Sequence, residues 1–233
     1  MKPDNNQPLI SCLCVTHKKP DMLQRVINCF YNQSYKNKQL VIVYEDFDTP
    51  THEFVINSKF DDNVKIIMID SSKGKIPLGE LRNISIREAD GEYITQWDDD
   101  DWFDPERLLS QMEILLAENK PACVLSRWIV FNSYTNKAYL SNRRLWEGSI
   151  LCRKDIIQQN PYLAISKGED SSVVEFLHQN GDLHLIEDMP HLYVYIYHGD
   201  NTWEAAHFNQ IFDFSTELSE SYSMDVLEVL SEK

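Results

Sequence analysis

Apolar runs and amphipathic segments alternate along the first half of the chain. Four of the runs are short and almost free of charge, which is the pattern of strands buried on both faces of a parallel sheet. These predicted strands cover residues 9–16, 39–44, 64–69 and 93–97. The second run stops in acidic residues ahead of a Thr49-Pro50 pair, which we interpret as a breaker.

Helices are predicted between these strands. Apolar residues recur at helical spacing over residues 20–32, 78–89 and 105–119, and Asp104 is the predicted N-cap of the third helix. Strand and helix alternate four times, which predicts a doubly wound α/β fold with a mixed, mainly parallel sheet flanked by helices. In such a fold the ligand site lies beyond the carboxyl ends of the strands.

The second half of the chain is less regular. Strands are predicted over residues 122–131, 137–140, 183–186 and 192–198. Because no internal repeat or linker separates the two halves, we predict one domain over residues 1–210 with a continuous sheet. We interpret residues 211–233 as a solvated acidic tail; a short amphipathic turn through Leu227 and Leu230, for a partner or a homodimer, is the alternative.

Composition and charge narrow the class of protein. The 233 residues are 42% hydrophobic and 25% charged, which is typical of a globular protein with one sizeable core. Acidic residues outnumber basic ones by 37 to 22, and the net charge of −15 disfavours nucleic acid as a partner. No stretch approaches the ~20 apolar residues of a membrane helix, so we expect a cytoplasmic protein, with peripheral contact at the inner face of a membrane left open. The five scattered cysteines are predicted to be reduced core residues.

Four consecutive aspartates, Asp98 to Asp101, follow the fourth predicted strand. Unit charges about 4 Å apart repel by ~4 kcal/mol at an effective dielectric of 20, so carboxylates crowded into a cleft require a cation or raised pKa values. Oxygen ligands on so short a segment suit Mg²⁺ or Mn²⁺. A calcium loop of the EF-hand type is disfavoured, because Phe103 and Leu109 stand where its glycine and its bidentate glutamate belong. A solvated acidic turn is the remaining alternative.

A second acidic pair, Glu169 and Asp170, precedes an apolar helical stripe. By itself the pair is typical of a helix start with acids in its first turn. Together with a metal cluster it supplies what group transfer to a hydroxyl requires, which is a metal to stabilise a leaving phosphate and a base to take the proton. Arg82, on the helix before the aspartates, and His198, after the last predicted strand, are further candidate phosphate or metal ligands.

Two observations bear on the substrate. Trp146, Glu147 and Gly148 follow two arginines in a polar and aromatic mixture of the kind that lines sugar sites, although an ordinary loop has the same composition. The sequence contains no GxGxxG, GxxxxGK[ST], GxSxG or HExxH motif, which disfavours dinucleotide oxidoreductases, P-loop enzymes, serine hydrolases and zinc proteases.

Several segments of the chain resemble the family 2 glycosyltransferases of GT-A fold. They are PLISCLCVTHKKPDMLQRVINCFYNQSY near the start, LGELRNISIREADGEYITQWDDDDWFDPERL in the middle, and GED and HGDNTW later. The middle segment is the specific part, because it carries an Arg-Asn helix, a DxDD cluster and a Pro-x-Arg-Leu helix start in order. The resemblance implies a Rossmann-like GT-A domain, with a nucleotide-binding half over residues 1–104 and an acceptor-binding half over residues 105–210.

The resemblance also implies roles for individual residues. Asp170 matches the family's catalytic base, with Glu169 beside it, and Asp100 matches the metal ligand of the DxD motif. We add His198 as a second metal ligand and expect the loop 146–148 to bind the acceptor. The residues expected to bind the nucleotide are Thr16, His17, Glu45, Asp46, Arg82, Asp98 and Asp99.

A transferase activity follows from the resemblance. We expect a metal-dependent, inverting transfer of a sugar from a nucleotide-diphospho-sugar, most simply a UDP-sugar, to a hydroxyl of a saccharide or lipid-linked acceptor. The expected cofactor is Mn²⁺ or Mg²⁺, and the expected setting is surface polysaccharide or glycoconjugate synthesis. A sugar-1-phosphate nucleotidyltransferase and a non-catalytic subunit that binds nucleotide sugars remain open as alternatives.

Overall fold

A mainly parallel sheet of seven strands is the largest feature of the computed structural model, which describes residues 7–231. Its strands are β1 (Ile10–Val15), β2 (Lys38–Glu45), β3 (Val64–Ile69), β4 (Tyr93–Gln96), β6 (Ala122–Leu125), β9 (Leu151–Arg153) and β10 (Leu183–Ile186). In the order β10-β6-β9-β4-β1-β2-β3, each strand is parallel to its neighbours except β9, which runs antiparallel to β4 and β6. The mixed, mainly parallel sheet expected from the sequence is confirmed, and we call it the large sheet.

Helices cover both faces of the large sheet. They are α1 (Pro20–Asn32), α2 (Thr49–Asn57), α3 (Leu78–Glu88), α4 (Arg107–Glu118), α5 (Lys154–Gln159) and α6 (Ser171–Gln179). Successive side chains of a strand point to opposite faces, so Cys12 and Cys14 of β1 join the core with α1 and α4, whereas Leu13 joins the core with α3 and α6. The doubly wound α/β fold is confirmed. All five cysteines are free and buried, as predicted.

The start of α2 corrects the interpretation of Thr49-Pro50 as a breaker. Both residues lie in the first turn of this helix, and the Asp48 side chain caps it by accepting a hydrogen bond from the backbone N–H of Thr51 at 3.1 Å. Proline is compatible with a first turn, because the N–H that it lacks has no partner within the helix there.

The start of α4 also differs from the prediction. This helix begins at Arg107, later than the predicted Pro105. The carboxylate of Asp104 accepts a hydrogen bond from the backbone N–H of Glu106 at 2.8 Å, and this turn precedes the helix instead of belonging to it.

A second, smaller sheet replaces the continuous sheet that we predicted. Its strands are β5 (Trp102–Phe103), β7 (Ile129–Asn132), β8 (Lys137–Leu140), β11 (Tyr193–Tyr197) and β12 (Thr216–Glu217), in the order β12-β8-β7-β11-β5. The predicted strand over residues 122–131 is divided between the two sheets, because the chain turns at Ser126 to Trp128. Ser126 N bonds Ile186 O at 2.8 Å, beside the large sheet, and Trp128 N bonds Ser141 Oγ at 3.0 Å, beside the small one.

The interpretation of residues 211–233 as a solvated tail is wrong for residues 211–231; the last two residues lie outside the described part of the chain. The helices α7 (Ala205–Asp213) and α8 (Glu220–Ser231) follow the last long strand. Val226, Leu227 and Leu230 of α8 pack on Ile129 and other apolar residues of the small sheet. The acidic segment is therefore an amphipathic helix that covers its own sheet. Within residues 7–231, none of the helices is long and apolar enough to cross a membrane.

Candidate active site

The carboxyl ends of β1, β2 and β4 meet at one edge of the large sheet, because parallel strands end on the same side. A cavity of about 690 Å³, the large cavity, opens at this edge. Thr16 and His17 follow β1, Glu45 ends β2 and Asp99 follows β4, and all four line the cavity. Its volume is in the usual range for a small-molecule site of roughly 300–1,000 Å³.

A smaller pocket of about 160 Å³ shares Lys19 and Asp99 with the large cavity. We call it the small pocket. It is lined by both acidic clusters and by the loop expected to bind an acceptor, and the predicted residues in its wall are Arg82, Asp98, Asp99, Asp100, Trp146, Glu147, Gly148, Glu169 and Asp170. The fold therefore brings together side chains from distant parts of the sequence.

Two predicted site residues lie outside the walls of both spaces. Asp46 accepts a hydrogen bond from the backbone N–H of Ser71 at 3.2 Å, so its contact is with the loop that precedes α3. His198 is connected to the small pocket through Asp100, since its Nε2 lies 3.0 Å from Oδ2 of Asp100.

The four consecutive aspartates have different partners. Asp98 pairs with Arg82 at 2.8 Å, and Asp100 pairs with Lys19 at 2.6 Å as well as with His198. Asp99 lies 3.5 Å from the same lysine. Asp101 points away from these cations: it is almost fully buried and accepts hydrogen bonds from the hydroxyl of Tyr193 and the backbone N–H of Ile196. Asp101 thus ties the segment after β4 to β11 of the small sheet.

The protonation of the neighbouring carboxylates differs for physical reasons. Burial and the adjacent Asp100 charge raise the pKa of Asp99 to about 6. Burial would also raise the pKa of Asp100, but the hydrogen bond from His198 and the Lys19 ammonium outweigh it and lower that pKa. Asp100 is therefore an anion at neutral pH, as a metal ligand must be.

Arg82 connects the two acidic clusters. Its Nη2 donates to Asp98 and its Nε donates to Glu169, each at 2.8 Å. The guanidinium and the Glu169 carboxylate are both buried, and burial raises the pKa of Glu169 although the arginine opposes this. Glu169 is consequently held in place by its partner.

Asp170 differs from its neighbour Glu169. It is half-buried at the start of α6, lines the small pocket, and accepts a hydrogen bond from Gln96 Nε2 at 3.3 Å. Within residues 7–231, no cationic side chain forms a salt bridge with its carboxylate. The carboxylate therefore lines the pocket outside any salt bridge, although its charge is among those that raise the pKa of the Arg82 guanidinium.

The loop 146–148 lines the same pocket as these acids. The Trp146 ring is stacked on Trp128 at 4.4 Å between centroids and is almost fully buried. Glu147 accepts a hydrogen bond from Ser171 Oγ at 3.1 Å, and burial raises its pKa. Gly148 leaves room for Tyr193, whose hydroxyl would lie 3.1 Å from a Cβ at this position.

Several pocket residues were not identified from the sequence. Trp203 and His207 stack in parallel at 4.6 Å on one side of the small pocket, and Lys167 lies 5.5 Å above the tryptophan ring. Lys19 sits between Asp99 and Asp100. Its position just after a buried strand is a signal that could have found it, whereas the contact between Lys167 and Trp203 depends on how two distant loops fold.

The donor atoms next to Asp100 fit a divalent cation. A carboxylate oxygen and an imidazole nitrogen, 3.0 Å apart, are ligands that Mn²⁺ accepts, and Mg²⁺ takes the carboxylate with water and phosphate oxygens. In the described part of the chain, no group of three or more His, Cys, Asp or Glu side chains is arranged to hold a metal by itself. Further ligands would have to come from a substrate or from water.

Comparison with known proteins identifies the family. Residues 11–171, well over half of the chain, match the family model described as "Glycosyl transferase family 2". The chain belongs to glycosyl transferase family 2. The resemblance inferred from the sequence motifs is thereby confirmed.

Curated relatives match about half of this family 2 chain. It is 31% identical over 131 residues to the putative colanic acid biosynthesis glycosyl transferase WcaA of Escherichia coli, which is 55% of this chain and 44% of WcaA. It is 30% identical over 114 residues to an uncharacterized glycosyltransferase of Haemophilus influenzae, which is 49% of this chain and 45% of that protein. The chain thus spans less than half the length of these relatives.

Solved structures share the GT-A fold. The crystal structure of Staphylococcus aureus TarS 1–349 in complex with UDP-GlcNAc superimposes with a TM-score of 0.68 at 14% identity, over 95% of this chain and 71% of that one. The mannosyltransferase PcManGT from Pyrobaculum calidifontis, in complex with GDP-Man and Mn²⁺, superimposes with a TM-score of 0.65 at 12% identity. The match covers 90% of this chain and 63% of that one. At these identities the likeness shows the fold.

Proposed function

We propose that the chain is an inverting glycosyltransferase, which moves a sugar from a nucleotide-diphospho-sugar to a hydroxyl of a saccharide or lipid-linked acceptor. One observation carries the proposal: Asp170 and Asp98 to Asp100 line one small pocket, and this pocket adjoins a cavity of about 690 Å³. A nucleotide in the large cavity would place its diphosphate and sugar next to a carboxylate base. Family membership supports the reaction class.

Unpaired polar atoms support nucleotide binding in the large cavity. Among the described residues, Thr16 Oγ1 and His17 Nδ1 are buried without a hydrogen-bond partner. Burial lowers the pKa of His17, so its ring is neutral at pH 7. Glu45 is buried in the same wall and offers a carboxylate to N–H groups of a base. We propose UDP as the nucleotide, because the superimposed TarS structure holds UDP-GlcNAc.

We further propose that Asp100 and His198 hold Mn²⁺ or Mg²⁺. The ion would offset the negative charge that develops on the departing diphosphate, an electrostatic contribution worth several kcal/mol. Asp98 and Arg82 pair in the lining of the small pocket, where the ribose and phosphates would lie. Asp46 would act indirectly, through the loop that it holds beside the large cavity.

Asp170 would serve as the general base. The acceptor oxygen attacks the anomeric carbon, the bond from that carbon to the diphosphate oxygen breaks, and the hydroxyl proton passes to the Asp170 carboxylate. A single displacement of this kind inverts the anomeric configuration. Glu169 would keep the base region in place through Arg82. The acceptor would enter along Trp146, Glu147 and Gly148, which line the same pocket.

The names of two relatives suggest a setting. One is a putative colanic acid biosynthesis enzyme and another, TuaG of Bacillus subtilis, a putative teichuronic acid biosynthesis glycosyltransferase. We propose that this chain acts in the synthesis of a surface polysaccharide, on the cytoplasmic side of a membrane.

A ligand panel tests the proposal. Thermal melting of the chain is measured with UDP, GDP, UDP-GlcNAc and GDP-mannose, each with and without Mn²⁺, since a ligand of the folded state raises the melting temperature. We expect a uridine nucleotide with Mn²⁺ to give the largest rise. Release of UDP from the matching donor, with an inverted anomer by NMR, then establishes transfer. No rise with any nucleotide would contradict the proposal, and release of pyrophosphate would favour a nucleotidyltransferase.

A further inference from the structure

Lys19 occupies the boundary between the two spaces of the site. Its Nζ lies 2.6 Å from Asp100 Oδ2 and 3.5 Å from Asp99 Oδ1, and its side chain lines both the large cavity and the small pocket. Burial lowers the pKa of this lysine, but the two carboxylates outweigh burial and raise it. The side chain is therefore an ammonium at neutral pH, placed where a metal ion would bind.

The backbone around Lys19 is fixed on both sides. Lys18 adopts the left-handed conformation, with φ of 57°, and its N–H donates to Asp48 Oδ2 at 2.7 Å. The carbonyl of Lys19 accepts a hydrogen bond from Leu23 N at 2.9 Å, in the first turn of α1. Because these contacts hold the main chain, only the long side chain of Lys19 is free to change its partner.

The opposing carboxylate is also anchored. Arg25 Nη2 donates to the backbone carbonyl of Asp100 at 2.5 Å, and His198 Nε2 lies 3.0 Å from its Oδ2. This oxygen is the atom that Lys19 contacts. An ammonium and a divalent cation at contact distance from one carboxylate oxygen repel each other. Binding of a metal at Oδ2 of Asp100 therefore favours departure of Lys19.

We propose that Lys19 is an exchangeable counter-cation: it neutralises Asp99 and Asp100 in the free protein, gives way to the divalent ion, and then binds an oxygen of the donor diphosphate. The second half rests on the proposed function, because it requires a diphosphate in the adjacent cavity. The swing is short, since the side chain already lines that cavity.

The exchange predicts effects of opposite sign for one substitution. The substitution Lys19→Met introduces a side chain of similar length without charge, so no ammonium competes with Mn²⁺ for Asp100. We expect Mn²⁺ in the absence of nucleotide to bind about tenfold more tightly, and UDP at saturating Mn²⁺ to bind about tenfold more weakly. A lysine that merely supports the fold would weaken both.

The experiment measures free Mn²⁺ by electron paramagnetic resonance and UDP affinity by calorimetry, on the whole chain. Lys36→Met, which removes an exposed charge outside both spaces, is the matched control and should change neither value. Unchanged or weaker Mn²⁺ binding in Lys19→Met would overturn the proposal. Tighter Mn²⁺ binding with unchanged UDP affinity would overturn its diphosphate half.

A structure of the unaltered chain gives an answer that does not depend on the variant folding. In crystals grown with Mn²⁺ and UDP, we expect the ion on Asp100 and Lys19 Nζ on the diphosphate. Lys19 still on Asp100 would overturn the exchange. If UDP binds in neither experiment, the proposed function fails, whereas the Mn²⁺ titration still decides whether Lys19 competes for Asp100.

Discussion

The large and small sheets are built by different kinds of contact. In the large sheet, mainly parallel strands of three to eight residues alternate with helices, and apolar side chains fill two cores on its two faces. The small sheet has strands of two to five residues, with antiparallel pairs at both of its edges. Buried polar groups join it to the large sheet. The first arrangement follows from local sequence periodicity, whereas the second depends on contacts between distant residues.

Arg107 shows how polar groups join the two regions. This fully buried residue of α4 donates to Thr95 Oγ1 and Gln96 O, at 3.0 and 3.2 Å, at the end of β4. It also approaches Gly148 O at 3.5 Å and lies 5.1 Å from the ring centre of Tyr193. One guanidinium thus contacts the acid-bearing strand of the large sheet, the loop 146–148 and the small sheet. The site lies where the two regions meet, so its geometry depends on these contacts.

The largest effect is expected on catalytic activity, from a substitution of Asp170. In Asp170→Asn, the amide cannot accept the acceptor proton, so UDP release from the donor should fall about 10²–10⁴-fold. The affinity for UDP should stay within about twofold, because the large cavity is built by other residues. Kinetics and calorimetry measure the two quantities separately.

Asp188→Asn removes an exposed acid and is the control for Asp170→Asn, with activity expected to be unchanged. Full activity in Asp170→Asn would remove this residue from the mechanism. A parallel loss of UDP affinity would mean that Asp170 also contributes to nucleotide binding.

The next effect concerns the link between the sheets. In Asp101→Ala, the buried Tyr193 hydroxyl and Ile196 N–H lose their acceptor, and the free energy of unfolding should fall by about 2–4 kcal/mol. Tyr193→Phe should cost less, about 1 kcal/mol, because Asp101 keeps its bond to Ile196. Urea denaturation followed by fluorescence measures both. Asp213→Ala, at an exposed position, should stay within about 0.5 kcal/mol. A similarly small change in Asp101→Ala would show that other contacts join the sheets.

The contrast between the regions also explains what the sequence could predict. The four strands and the helices α1 and α3 were predicted within a few residues, and β3 at its observed bounds, because apolar runs and helical spacing are local. The acidic clusters were visible for the same reason. The pairings between distant residues were not: Lys19 and Asp100 are 81 residues apart, and Arg82 and Glu169 are 87 apart. Such pairs depend on which loops the topology brings together.

The separation of the second sheet was not predicted, although its strands β8 and β11 were predicted within one residue at each end. The apolar residues on both sides of Ser126 and Arg127 were interpreted as one strand, although these two polar residues lie at the turn between the sheets. The acidic surface of α8 similarly concealed a stripe with a period of three to four residues. The assignments of nucleotide, metal and acceptor residues stay predictions, since they depend on molecules that would bind in the large cavity and the small pocket.

A smaller effect tests the place of α8 in the fold. Val226 is 6% exposed against the small sheet, so Val226→Ala should lower the free energy of unfolding by about 1–2 kcal/mol. Met224, on the same helix, is 55% exposed, and Met224→Ala should change it by less than about 0.5 kcal/mol. Urea denaturation compares the two. Equal, small effects would mean that α8 adds nothing to the small sheet.

The smallest effect is a pH dependence in the loop that faces Asp170. Because burial raises the pKa of Glu147, the folded state holds a proton more tightly than the unfolded chain does. Stability from this group is present below the ordinary pKa of glutamate and is lost as pH rises through the raised value. Glu147→Gln removes this dependence but keeps an oxygen for the Ser171 hydroxyl.

Glu147→Gln should therefore gain stability relative to the unaltered chain as pH rises from about 4 to 7. A gain in this direction identifies burial of the Glu147 carboxylate as the cause. Urea midpoints at several pH values measure this difference. Glu228→Gln, on the surface of α8, gives the baseline for an exposed glutamate outside the pocket. A difference that shrinks with rising pH would mean that pairing with Arg144, 3.7 Å away, outweighs burial at Glu147. The loop 146–148 would then hold its charge by an ion pair, as Asp98 and Asp100 do.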